Sequence, residues 1–189
     1  MVPAGVRHTL FVWLSAALLL SAAICHAATP QEKATALRAL AADLTTHLEP
    51  APSASTTVIR FTWHGGEDNR QGVIRAVRSA AGVWSLEQFT RRVARGAPGV
   101  TVEPVHMGPY RVPDGIAARL EGLSRDPELK HQQELFRLPR GVVAKDGSDQ
   151  LLEITGPELS RVIVHEAGVS GAVSGRIIDL LLQVRQRPR

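Results

Sequence analysis

Residues 57–63 alternate: Ile59, Phe61 and Trp63 fall on one side, Val58, Arg60 and Thr62 on the other. That period of two belongs to a β-strand with two unlike faces. A polar run follows, His64 to Gly72, and β-branched alternation resumes over 73–79. The pattern predicts two antiparallel strands joined across 64–72.

Elsewhere the period is helical. Thr29-Pro30-Gln31-Glu32 is a capping box with proline at the first helical position, and Leu37, Leu40, Leu44 and Leu48 follow in phase. A helix over 30–48 is expected. Ser85-Leu86-Glu87-Gln88 repeats the cap, Leu86, Phe89 and Val93 share a helical face, and Gly96 with Pro98 supplies a stop, so a second helix is expected there. Ile116, Ala117, Leu120 and Leu123 predict a short helix, and Asp126-Pro127 opens another running towards Leu138. The clearest stripe comes last: Val169, Val173, Ile177, Leu180, Leu181 and Val184 predict a helix over 169–186.

The remaining segments read as strands and turns. Residues 100–105 suit an edge strand, because Pro104 cannot donate to a ladder, and 106–113, with Gly108, Pro109 and Pro113, is expected to be irregular. Residues 142–144 and 151–155 flank a hairpin turn, and 158–166 fits a helix and a strand equally well. Residues 49–56, with two prolines, form a linker. The order predicts an α+β fold: a mainly antiparallel β-sheet with amphipathic helices packed on one face, in a single domain.

The first 27 residues are expected to be a signal peptide. Arg7 and His8 precede a fifteen-residue apolar run (10–24) that holds no charge and no polar residue but Ser15 and Ser21, and Ala27 closes a small-residue cleavage site. The run is shorter than the ~20 residues of a membrane span. The chain thus divides into a signal peptide (1–27), an N-terminal helix and linker (28–56) and an α+β domain (57–189). A periplasmic or secreted location follows, with no stable membrane span after cleavage. Cleavage removes Cys25, the only cysteine, so no disulfide is expected and the fold must stand on burial. Loss of Arg7 lowers the net charge from +4 to +3, too little to argue for a nucleic-acid partner.

The most chemically dense stretch is the turn after Trp63. A strand ending in His64-Gly65-Gly66 resembles the oxyanion-hole segment of esterases of the α/β-hydrolase fold, where backbone N–H groups stabilise a developing oxyanion. That resemblance covers three residues and also requires a Gly-x-Ser-x-Gly elbow. Gly168-Val169-Ser170-Gly171-Ala172 has alanine where the second glycine belongs. His165-Glu166 begins a zinc motif that Val169 fails to complete, and Asp146-Gly147-Ser148-Asp149 lacks the ligand alternation of a calcium loop. No catalytic residue, metal site or cofactor is therefore assigned.

The reading that remains is a non-catalytic binding protein: an inhibitor, an immunity-type protein or an envelope accessory factor acting through polar loops. Its contact residues are expected to be Trp63, His64, Glu67, Asp68 and Arg70, and its partner another envelope or secreted protein. Two alternatives stand beside it. One is a small envelope hydrolase, metal-assisted, using His64, His165 and nearby carboxylates. The other is a lipid or small-molecule carrier, with Ile59, Phe61 and Trp63 facing the 169–184 stripe across a cavity.

Overall fold

In the computed structural model, which describes residues 29–46, 57–65, 70–93, 104–137, 147–166 and 172–185, the alternating segments form the centre of a seven-stranded sheet. Strand β1 spans Thr57–Gly65 and β2 spans Arg70–Arg78. They pair antiparallel from Thr57↔Arg78 to His64↔Gln71. The expected turn over 64–72 is therefore too long: both strands run into it, and residues 66–69 between them lie outside the described residues.

Gly72 explains how β2 can begin so early. It stands opposite Trp63, and a β-carbon built there would lie 2.2 Å from the Trp63 ring carbon Cζ2. The indole lies across the glycine and supplies the apolar cover that glycine itself lacks in a strand.

Strand β3 (Trp84–Arg92) follows a tight turn in which Gly82 has φ +79°. The helix expected over this stretch is not formed. Trp84, Leu86 and Gln88 point to one side of the sheet and Phe89 to the other, and all four are buried. A strand covered on both faces needs apolar groups on both, which imitates helical spacing. The expected irregular segment 106–113 is likewise mostly strand: β4 spans Val105–Arg111 and pairs with β3 through a bulge between Leu86 and Gln88. Gly108, with φ +106°, sits at that bulge, where a β-carbon would come within 2.7 Å of the Leu86 carbonyl oxygen. Pro109 and the bulge blunt this outer edge against further pairing.

Helices α1 (Pro30–Leu44), α2 (Asp114–Ser124) and α4 (Ala172–Arg185) occupy the expected places. Both hydrogen bonds of the Thr29–Glu32 capping box are made, and the Thr29 backbone N–H and hydroxyl, both donating to Glu32 Oε2, hold that carboxyl below its ordinary value. Helix α3, expected to reach Leu138, stops at Pro127–His131 and gives way to the short strand β5, Leu135–Phe136. Strand β6 (Ser148–Thr155) begins inside the expected 145–150 turn, and residues 142–144 lie outside the described residues. The 158–166 ambiguity resolves as strand β7, Ser160–His165.

The strand order is β4-β3-β2-β1-β6-β7-β5, with every neighbouring pair antiparallel except β5 with β7. The fold is thus α+β with a mainly antiparallel sheet. The expectation of helices on one face is corrected, because the sheet is buried from both sides. On one face, Ile59, Phe61, Trp63, Ile74, Leu86, Leu152, Ile154 and Ile163 pack against α2, α3 and α4 through Ile116, Leu120, Leu129, Val173 and Ile177. On the other, α1 lays Ala34 and Leu37 on Leu151 and Val164, and Ala41 and Leu44 on Val73 and Phe89.

Two buried polar clusters tie the helices to the first face. The Trp84 indole donates to Glu121 on α2 (3.2 Å), which also forms ion pairs with Arg78 (2.6 Å) and Arg125 (2.8 Å). Gln132 reaches α4: its amide nitrogen donates to the Ser174 hydroxyl, and its Oε1 accepts from the Ser174 backbone N–H at 3.1 Å. Its own carbonyl accepts from Arg161 on β7.

Candidate functional site

The registers sort the α1-covered face into three rows that cross the strands. The middle row is apolar apart from Thr62: Val164, Leu151, Thr62, Val73 and Phe89, ending on His106, whose ring stacks on Phe89 at 4.3 Å. One flanking row is Glu153, Arg60, Arg75 and Glu87. The other is Asp149, His64, Gln71 and Arg91, at the end of the sheet where β1 passes towards β2. Helix α1 lies along the apolar row and sends charged side chains to both sides.

The His64 row is the densest in chemistry. Lys33 of α1 donates to both oxygens of Asp149 (3.3 and 3.2 Å) and pairs with Glu166 at 3.1 Å. Arg137 also approaches Glu166, at 3.5 Å. At the far end Arg91 donates to Gln71 (2.8 Å) and pairs with Asp43 of α1 (2.6 Å). His64 stands between these groups, half-buried. Burial pushes its imidazole below the ordinary value, against the opposing pull of the Asp149 carboxylate, and Arg91 lowers it further.

Lys33, Ala36, Leu37, Leu40, His64 and Asp149 line a cleft of about 30 Å³. That is room for about two water molecules, since one needs some 10–15 Å³. The cleft can hold water against His64 and Asp149, but it is far below the hundreds of cubic ångströms of a small-molecule site.

The expected contact residues fare differently. Trp63 is only 7% exposed, stacks on Phe61 at 5.4 Å and covers Gly72, so it is a core residue. His64 and Arg70 stand at the strand ends, and Glu67 and Asp68 lie outside the described residues. Arg70 stands directly opposite Arg92. Lys33, Asp149 and Arg91 were not anticipated as members of this site. One signal for Lys33 was available: 33, 37, 40 and 44 share a helical phase, so a lysine occupies the leucine stripe. No comparable mark distinguishes Asp149, which meets Lys33 across 116 residues of chain.

Both alternative readings meet corrections. Trp63, Gln150 and His165 are consecutive cross-strand partners, so His165 shares the face of Trp63, where it is fully buried and stacked on Phe136 at 4.9 Å. His64, the neighbour of Trp63 in the strand, points to the opposite face. The sheet separates the two imidazoles, and they cannot share a metal or a substrate. Among the described residues no three His, Cys, Asp or Glu side chains group as metal ligands. The carrier reading needed a cavity between Ile59, Phe61, Trp63 and the 169–184 stripe; instead these residues pack into one core with Val173, Ile177, Leu180 and Leu181. Among the described residues no helix is long and apolar enough to cross a membrane.

In comparisons with known proteins, the chain matches no family model, no curated protein and no solved structure.

Proposed function

We propose that this is an exported, single-domain, non-catalytic binding protein, with a contact surface at the β1–β2 end of the sheet around His64, Glu67, Asp68 and Arg70. The partner is another envelope or secreted protein. The observation that carries this reading is the pairing of firmly held strand ends with a small adjoining cleft. Two nine-residue strands, held on both sides by β3 and β6, place His64 and Arg70 together at one end of the sheet. The adjoining cleft holds about 30 Å³, too little for a substrate. Polar groups carried on the ends of paired strands suit protein recognition, because little ordering entropy is lost on contact.

The test begins with capture of partners from the native envelope by the C-terminally tagged protein, followed by affinity measurement with the purified partner. Truncating Glu67, Asp68 and Arg70 together to alanine is expected to weaken that affinity by more than about tenfold, in the range of a hot-spot loss. Unchanged affinity would remove this surface from consideration. Export is checked separately, by N-terminal sequencing of the mature protein, with Ala28 expected as its first residue.

A further inference from the structure

Helix α1 is held to the sheet by an apolar underside and by ionic contacts along its flanks: Lys33 to Asp149 and Glu166, Arg38 to Glu153 (2.7 Å), and Asp43 to Arg91 (2.6 Å). Beneath its N-terminal half lies His64, on the wall of the cleft closed by Lys33, Ala36, Leu37 and Leu40. The charged groups around this imidazole come from several elements. Lys33 faces it from α1, Asp149 from β6, and Arg91 from β3 beyond Gln71, while Glu166 at the end of β7 joins through Lys33.

A proton on His64 adds a third cation to a neighbourhood that already holds Lys33 and Arg91. The nearest carboxylate, Asp149, has both oxygens engaged by Lys33. The imidazolium also needs water, and among the described residues the docked helix leaves a cleft of about 30 Å³ beside it.

We propose that α1 is an acid-released strap: proton uptake by His64 frees the helix from the sheet and uncovers the apolar row of Leu151, Val164, Val73 and Phe89. This inference rests on the packing of α1 and does not depend on the binding reading above. Its direction in pH follows from the burial of the imidazole. With α1 docked, burial holds His64 below its ordinary value of 6.5, more strongly than Asp149 raises it. A lowered histidine contributes stability that is fully present above the undocked value and is lost as pH falls through the docked one. Release therefore belongs on the acid side of about pH 6.5.

Hydrogen exchange read by mass spectrometry on the full chain separates local release from general acid unfolding. After correction for intrinsic rates, amides 34–44 are expected to lose protection severalfold between about pH 7.5 and about pH 5, while those of β1, β2 and β6 keep theirs. In His64→Gln, which cannot take up the proton, the sheet stays protected and the loss in 34–44 disappears. A loss that persists in His64→Gln, or one shared equally by the sheet, overturns the proposal. Should the variant fail to protect its sheet, the wild-type protein decides the matter through NMR titration of the His64 ring. A midpoint coinciding with the loss in 34–44 supports release by His64, and a clearly separate midpoint overturns it.

Discussion

Gly72→Ala is expected to destabilise the protein by about 2–3 kcal/mol in urea unfolding, a large effect for one methyl group. Its added carbon falls 2.2 and 2.3 Å from Trp63 Cζ2 and Cη2, well inside contact distance. The indole cannot retreat cheaply, because it is 7% exposed and stacked on Phe61. Forcing extra volume into a well-packed core costs typically 1–3 kcal/mol. Trp63→Ala on its own is expected to cost about 3–5 kcal/mol through the hole it leaves. The informative measurement is the double variant. With the ring removed, Gly72→Ala loses its penalty and gains the ~0.5–1 kcal/mol by which alanine normally surpasses glycine inside a strand. The two changes should therefore couple by about 3 kcal/mol. Additive effects would mean that the indole does not lie on Gly72.

This same pair shows where local pattern was sufficient and where it was not. The alternation of Ile59, Phe61 and Trp63 announced both the strand and its buried face, since period-two placement is a local property. The Thr29–Glu32 cap and the 172–185 stripe were legible for the same reason. The glycine at 72, however, read as a turn residue, because nothing in its neighbours reveals that a ring from the next strand will lie on it. Ser85 to Gln88 misled in another way. Leu86 and Phe89 sit three apart, as on a helix, yet they point to opposite faces of a sheet that is covered on both. Two-sided burial removes the polar half of the alternation, and a chance Ser-x-x-Gln then imitates a cap.

The candidate site divides along the same line. The β1–β2 pattern alone brought His64 and Arg70 together, but in the connection over 64–72 and not on the strand ends where they stand. Their chemical surroundings could not be read from it, because Lys33, Asp149 and Glu166 converge only when α1 lies across β1, β6 and β7. The opposition of His64 and His165 was hidden too. Which face each histidine takes depends on registers through β1, β6 and β7, and a one-residue slip would reverse the answer.

Register of that kind is held partly by buried polar contacts, and Gln132 is the one whose loss should be felt most. Gln132→Leu is expected to cost about 3 kcal/mol, whereas Ser174→Ala should cost about 1 kcal/mol, both read as urea midpoints at constant slope. The asymmetry comes from what each change strands. Gln132, 8% exposed, accepts the Ser174 backbone N–H in the first turn of α4, where no carbonyl of the helix itself is available to that group. Leucine fills the space but leaves this buried donor unpaired, with the full desolvation penalty. The Ser174 hydroxyl loses an amide donor in the same change, a smaller cost because a hydroxyl rotates to suit the groups around it. Ser174→Ala removes that hydroxyl and leaves the N–H bond to Gln132 Oε1 in place. Only the Gln132 amide nitrogen then lacks its partner. Replacing both residues, as Gln132→Leu with Ser174→Ala, should cost nearly as much as Gln132→Leu alone, because the orphaned group belongs to the backbone. Equal costs for the two single variants would place the weight on the side-chain pair instead, and α4 would then owe its position to its apolar stripe alone.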